Sequence, residues 1–247
     1  MSIRRGVNHA HIITHETRRA ATSAVLFALL LGACQAPPPA PIAQTQAVPA
    51  VMPALHGKRY IVDMRESEIR LLVYRDGPMA RFGHNHVITG RVRGEIGVSD
   101  TAVDSGFRLE IPVESLSVDE PVLRAEEGDE FAATVSDQAR KGTRDNMLGA
   151  NILDAAHFPA ISIASDTFVG PRWNPDVTAR VTLRGRTSEL RFPAAVIEQR
   201  GSLTVIAAFP VLQSDLGIVP YSILGGAIRV RDEIDIRVRL VARPAAD

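Results

Sequence analysis

From residue 60 onward, apolar and polar positions alternate with a period of two. The clearest run is "EIDIRVRLVA". Ile234, Ile236, Val238 and Leu240 fall on one side of it, and Asp235, Arg237 and Arg239 on the other. Successive strand residues point to opposite faces, so this spacing predicts a half-buried strand. "SGFRLEIPV" repeats the pattern, with Phe107, Leu109, Ile111 and Val113 sharing a face against Arg108 and Glu110. "RYIVDM", "EIRLLVYR", "HVITGRVRGEIGV", "AISIASDTFV", "DVTARVTLRG", "SELRFPAAVIE" and "LTVIAAFPVLQ" alternate or run short and apolar in the same way. Between them, "RDGP" (75–78), "SDTAVDSG" (99–106) and "LRGRT" (183–187) supply the Gly, Asp and Pro that turns require. "LRGRT", between two alternating segments, predicts a tight hairpin.

One interval departs from this period. "RAEEGDEFAATVSDQARKGTRDNMLGA" (124–150) is charged and alanine-rich. It predicts a helix over 129–140 and a second, short helix over 143–148, capped by Thr143 with Asp145 in its first turn. Its "EEGDE" cluster lacks the spacing of a calcium loop and reads as a solvated helix start. The chain therefore holds about eight or nine antiparallel strands and one helical excursion, a usual size for a single all-β domain. Such a sheet must manage its edges, and closure into a barrel removes them. A barrel of about eight strands is wide enough to be filled by side chains or to hold one slender ligand.

The first residues have a different character. Arg4, Arg5, Arg18 and Arg19 precede the apolar run "AVLFALLL" (24–31). That run is shorter than the roughly 20 residues a membrane span needs, and it fits an export signal. It ends in "LGAC", which resembles a bacterial lipobox, so Cys34 is the expected lipidation site. Cys34 is the only cysteine, which excludes an intramolecular disulfide. The following "QAPPPAPIAQTQAVPAVMPALHG" is poor in charge and rich in proline, and reads as a tether. The expected organisation is a signal peptide over 1–33, a lipidated cysteine and tether over 34–58, and the barrel domain over 59–242. The expected location is the cell envelope, lipid-anchored on the periplasmic side; Gln35 after the cysteine favours the outer membrane by resemblance to the bacterial sorting rule. Removing the leader takes four of 28 basic residues and one of 28 acidic residues, leaving 24 and 27. A mildly acidic protein lacks the cationic surface that nucleic-acid binding rests on.

Several motifs resemble those of the YceI-like family of lipid- or polyisoprenoid-binding barrels. "YIVDMRESEIRLLVYRDG" (60–77) resembles its opening hairpin, and "GHNHVITGRVRGEI" (83–96) the strand after it. "RDNMLGANILDAAHFPAISIAS" (144–165) is the most specific piece, and "VTARVTLRGRTSELRFP" and "LQSDLGI" match a later strand pair and loop. The likeness spans residues 60–241. It implies an extended eight-stranded antiparallel lipocalin-like barrel that binds an isoprenoid tail, and it carries over no catalytic residues. Departures from the family pattern are "LGANILD", Gln213 in place of a common arginine, and Ile163 in place of a common aromatic.

The residues themselves permit a lipid reading. Each buried CH₂ contributes about 0.8 kcal/mol, so an aliphatic lining suits a polyprenyl lipid or quinone. The candidate cavity residues are Phe107, Leu109, Ile161, Ile163, Phe192, Phe209 and Ile236, all of which also suit ordinary core packing. His84, His86 and Arg144 are candidates for a polar headgroup, with Arg144 and Asp145 equally suited to pinning the helical excursion to the barrel. His84 and His86 in "GHNH" share a face if extended, so they are also weak metal candidates, short of the three or four ligands a stable site wants. Capping the barrel mouth is the plainer role for both rings. No hydrolase, zincin, P-loop or dinucleotide motif is present, so the expected protein is a binding protein and no resident cofactor is implied. The alternatives are a metal- or haem-related binding protein using His84 and His86, and a lipid-processing enzyme. A homodimer could cover an edge strand or a barrel mouth.

Overall fold

The alternating runs become antiparallel strands that share one long spine. The structure, a computed structural model, describes residues 54–246; the leader, Cys34 and the tether up to residue 53 lie outside them. The strands are β1 (Lys58–Val62), β2 (Glu68–Val73), β3 (Arg75–Asp76), β4 (His86–Arg91), β5 (Arg93–Val98), β6 (Gly106–Pro112) and β7 (Ser117–Val118). Two helices follow, α1 (Pro121–Ala125) and α2 (Asp137–Leu148). Then come β8 (Ala160–Val169), β9 (Asp176–Leu183), β10 (Arg186–Pro193), β11 (Ala195–Gln199), β12 (Ser202–Leu212), β13 (Ser222–Ile223), β14 (Ile228–Val230) and β15 (Glu233–Pro244).

β15 is the spine. One of its edges pairs with β12 from Leu212↔Glu233 to Leu203↔Ala242. Its other edge pairs first with β2 and then, further along, with β1. Two leaves diverge from that edge, one through β2, β4 and β7 and the other through β1, β5, β6, β8, β9 and β10. Twelve strands make up this sheet, and β13, β14 and β3 form a separate small one. The strand count thus exceeds the eight expected, and the expected closed barrel is corrected: among the described residues the hydrogen-bonded ladder does not close into a ring.

The reason lies at Pro193 and Ala194. "SELRFPAAVIE" reads as one strand, yet β10 stops at Pro193, which has no N–H to donate. The next amides turn elsewhere: Ala194 N–H donates to Pro175 O and Val196 N–H to Trp173 O. β11 then pairs with β12 rather than β9. The chain thus curls back towards the spine through a covalent bend, not through a ladder. At the other end of β10 the hairpin is as the sequence predicts. Arg184 and Gly185 have φ of 50° and 73°, the two left-handed residues of a type I′ turn, and Leu183 pairs with Arg186.

The helical excursion differs from expectation. α2 is one helix, running through Gly142 and Thr143 without a break. Its N-terminus is capped by Ser136, whose side chain accepts the Ala139 N–H at 3.2 Å, so Thr143 is interior and caps nothing. Residues 129–131 form a single 3₁₀ turn that buries Phe131 against Leu72 and Val87. The "EEGDE" cluster is not simply solvated. Glu127 has a side chain only 2% exposed, and it accepts from Arg70 and Arg237 at 2.6 Å each. Arg144 holds α2 in place by donating to Leu116 O at 3.0 Å and Glu114 O at 2.9 Å, while Asp145 pairs with Lys141 on the exposed side.

Candidate functional site

Register builds the cavity. Phe209 pairs with Ile236, Ile236 with Leu71, and Leu71 with Ile88, which lays one apolar row across four strands. In the other leaf, Leu109 pairs with Ile163 and Ile163 with Val181. All seven of these residues face a common cavity of about 350 Å³, within the range usual for small-molecule sites. Phe107, Leu109, Ile161, Ile163, Phe192, Phe209 and Ile236, the predicted liners, all border it. Phe107 meets Phe168 edge-on at 6.0 Å, and Phe192 stacks on Phe209 at 4.5 Å. The lining is overwhelmingly aliphatic and aromatic, with His86, Asn146, Gln213 and Tyr221 among its few polar members. The departures from the family pattern fall here as well: Ile152, Leu153, Ile163 and Gln213 all border the cavity.

Arg144 and His84 do not border it. The Arg144 guanidinium donates through Nε and Nη2 to the two carbonyls that anchor α2, which is the pinning role, made through carbonyls instead of an ion pair. His84 and His86 sit at the start of β4 against two residues that sequence reasoning missed, Asp119 and Arg124. The Asp119 side chain is fully buried and that of Arg124 is 6% exposed. Asp119 Oδ1 accepts from Arg124 at 2.5 Å and from the Val87 N–H at 2.9 Å; Oδ2 meets His86 Nδ1 at 2.7 Å. Arg124 also donates to Asn85 O and Ala133 O. Asn85 is locked in turn, accepting the Arg75 N–H and donating to Glu130 O.

The electrostatics follow from these contacts. Burial alone would push the Asp119 carboxyl up, but the bonds from His86, Val87 and Arg124 outweigh it and hold the group below the usual carboxylate value. Burial, reinforced by the neighbouring His86, pushes the His84 imidazole down from its usual 6.5, so it is neutral at pH 7. The two rings lie 4.5 Å apart, centre to centre. His84 Nε2 is buried, 4.0 Å from Asp119 Oδ2, and makes no hydrogen bond among the described residues. The only sequence signal for Asp119 is an acid directly after the short apolar run that ends in Val118, where the backbone turns left-handed at φ 55°.

The family model for the YceI-like domain matches residues 60–242. The chain belongs to that family. Among solved structures, it is similar to BcnA of Burkholderia cenocepacia, with a TM-score of 0.53 at 18% identity, covering 73% of this chain and 98% of that one. It is also similar to a polyisoprenoid binding domain from Saccharophagus degradans implicated in plant cell wall breakdown, with a TM-score of 0.50 at 12% identity, covering 75% and 98%. At these identities the likeness establishes the fold. No curated protein matches the chain.

Proposed function

We propose that this protein sequesters an amphiphile with an isoprenoid-type tail, a polyprenyl lipid or a quinone, in the cavity between its two leaves. The observation that carries this reading is the cavity itself, about 350 Å³ and lined by side chains that offer a chain of methylenes almost no polar partner. Each CH₂ moved from water into such a lining contributes about 0.8 kcal/mol, so a tail of several isoprene units binds without many specific contacts. Membership of the YceI-like family, and the polyisoprenoid binding named for the Saccharophagus degradans relative, support the same ligand class. The mechanism is burial and release, with no bond made or broken.

The same proposal has this activity on the periplasmic side of the envelope, with the lipid anchor in the outer membrane, a reading supported by the lipobox-like "LGAC", Gln35 and the proline-rich tether. The test is apolar extraction of the purified full chain, followed by mass spectrometry. A discrete isoprenoid lipid at close to one per chain supports the reading, provided the Leu109→Trp variant, purified identically, has lost it. An extract with the same mixed membrane lipids in both proteins overturns it.

A further inference from the structure

The start of β4 holds a second group of convergent donors, of which His86 alone borders the cavity. His84 Nε2, the His86 ring and an Asp119 carboxylate oxygen all lie within 4.8 Å of one another. We propose that His84, His86 and Asp119 form a binding site for a borderline transition-metal ion, of the zinc, copper or nickel class.

Four observations support it. His84 Nε2 is a buried nitrogen with no hydrogen-bond partner among the described residues, and such an atom calls for a polar partner or an ion. The spacing is right. Donors about 2.1 Å from a tetrahedral ion sit about 3.4 Å apart, and the observed His86–Asp119 and His84–Asp119 separations of 2.7 Å and 4.0 Å straddle that value. Small rotations of the two rings would equalise them. The scaffold is rigid: Arg124 and the Val87 N–H hold Asp119 Oδ1, Oδ2 meets His86 Nδ1 in a hydrogen bond that the ion would replace, with the imidazole then carrying its proton on Nε2, and Asn85 is fixed between the two histidines by bonds to Arg75 and Glu130. The charge selects the class of ion. Asp119 is offset by Arg124, so the site presents imidazole nitrogen without net negative charge. Calcium and magnesium want several charged oxygens, whereas imidazole suits zinc, copper and nickel. Three protein donors leave a fourth position for water or another small ligand.

The experiment uses the full chain, stripped with a chelator and titrated with Co²⁺ as a visible probe, then with Zn²⁺ in competition. The expected result is an equivalent of Co²⁺ with the absorption of a tetrahedral nitrogen- and oxygen-ligated ion, displaced by Zn²⁺. In His84→Ala that equivalent should weaken at least tenfold. His56→Ala and His157→Ala should retain it, since His157 is engaged with Asp154 on the exposed surface. Far-UV circular dichroism monitors folding, and His84→Gln, which keeps the bulk of the side chain, gives the same reading should the alanine variant fail to fold. Absence of saturable tetrahedral Co²⁺ uptake overturns the proposal, and so does uptake in the folded His84 variants equal to that of the wild type. Lipid content, measured separately on the same proteins, is expected to be unaffected by His84→Ala.

Discussion

Phe192 and Phe209 stack face to face, 4.5 Å between ring centres and 10° between planes. They sit on β10 and β12, strands that approach each other with no ladder of backbone hydrogen bonds between them. The stack therefore bridges the seam where the sheet fails to close. Side-chain contact does there what backbone pairing does elsewhere. Because both rings border the cavity, the seam is also part of its wall.

If the stack holds the seam, the two rings are energetically coupled. Phe192→Leu, Phe209→Leu and the double variant, compared by urea denaturation, should give a coupling energy of about 0.5–1.5 kcal/mol. Additive single effects would show that the rings contribute through burial alone.

The cavity can be filled from within. Leu109→Trp adds bulk to its wall, and overpacking of this kind costs about 1–3 kcal/mol of stability. Binding of a fluorescent isoprenoid probe should fall at least tenfold while far-UV circular dichroism stays unchanged. Unaltered probe affinity would place the probe outside the cavity.

The buried pair between Arg124 and Asp119 is costly to break from one side. Arg124→Ala leaves a buried carboxylate without its cation and frees the carbonyls of Asn85 and Ala133. A loss of about 3–5 kcal/mol is expected by denaturant unfolding. Arg144→Ala removes two bonds to carbonyls at a partly exposed site, and its cost should be smaller, about 1–2 kcal/mol.

Tyr74 gives the protein an alkaline limit. Its phenol is pushed up from 10.0 to about 12, first by burial and then by donating to the Asp235 carboxylate at 2.6 Å. The folded state holds this proton more tightly than the unfolded chain. The resulting stability is fully present below pH 10.0 and is lost as pH rises from there through about 12. Ultraviolet titration should show a phenolate appearing near the top of that window that Tyr74→Phe removes, distinct from the Tyr60 phenol, which burial also pushes up and which the variant keeps. The variant's denaturation midpoint should fall less than that of the wild type across the same window.

The proposed lipidation of Cys34 has a direct test. Cys34→Ala should move the protein from the membrane to the soluble fraction of its host. A variant that stays with the membrane would exclude lipidation at this residue as the anchor.

Much of this protein was legible in local pattern. Alternation in "EIDIRVRLVA" and "SGFRLEIPV" assigned each side chain to a face, because strand geometry alternates whatever lies beside it. "LRGRT" specified its own turn, because only certain residues accept two successive left-handed conformations. That is why Leu109, Ile163, Phe209 and Ile236 could be named as cavity candidates before any partner was known. Other features needed the chain folded. "SELRFPAAVIE" carries no sign that β10 and β11 serve different partners, since that follows from amides claimed by Trp173 and Pro175 in a distant loop. Glu127 reads as one acid among four until Arg70 and Arg237 arrive from two other segments. Asp119 lies 33 residues from His86, and no periodicity joins them. Which face a residue takes is a property of its own few bonds. Which residues meet across a cavity or around a buried carboxylate depends on register and curl, and those are settled only when the whole sheet forms.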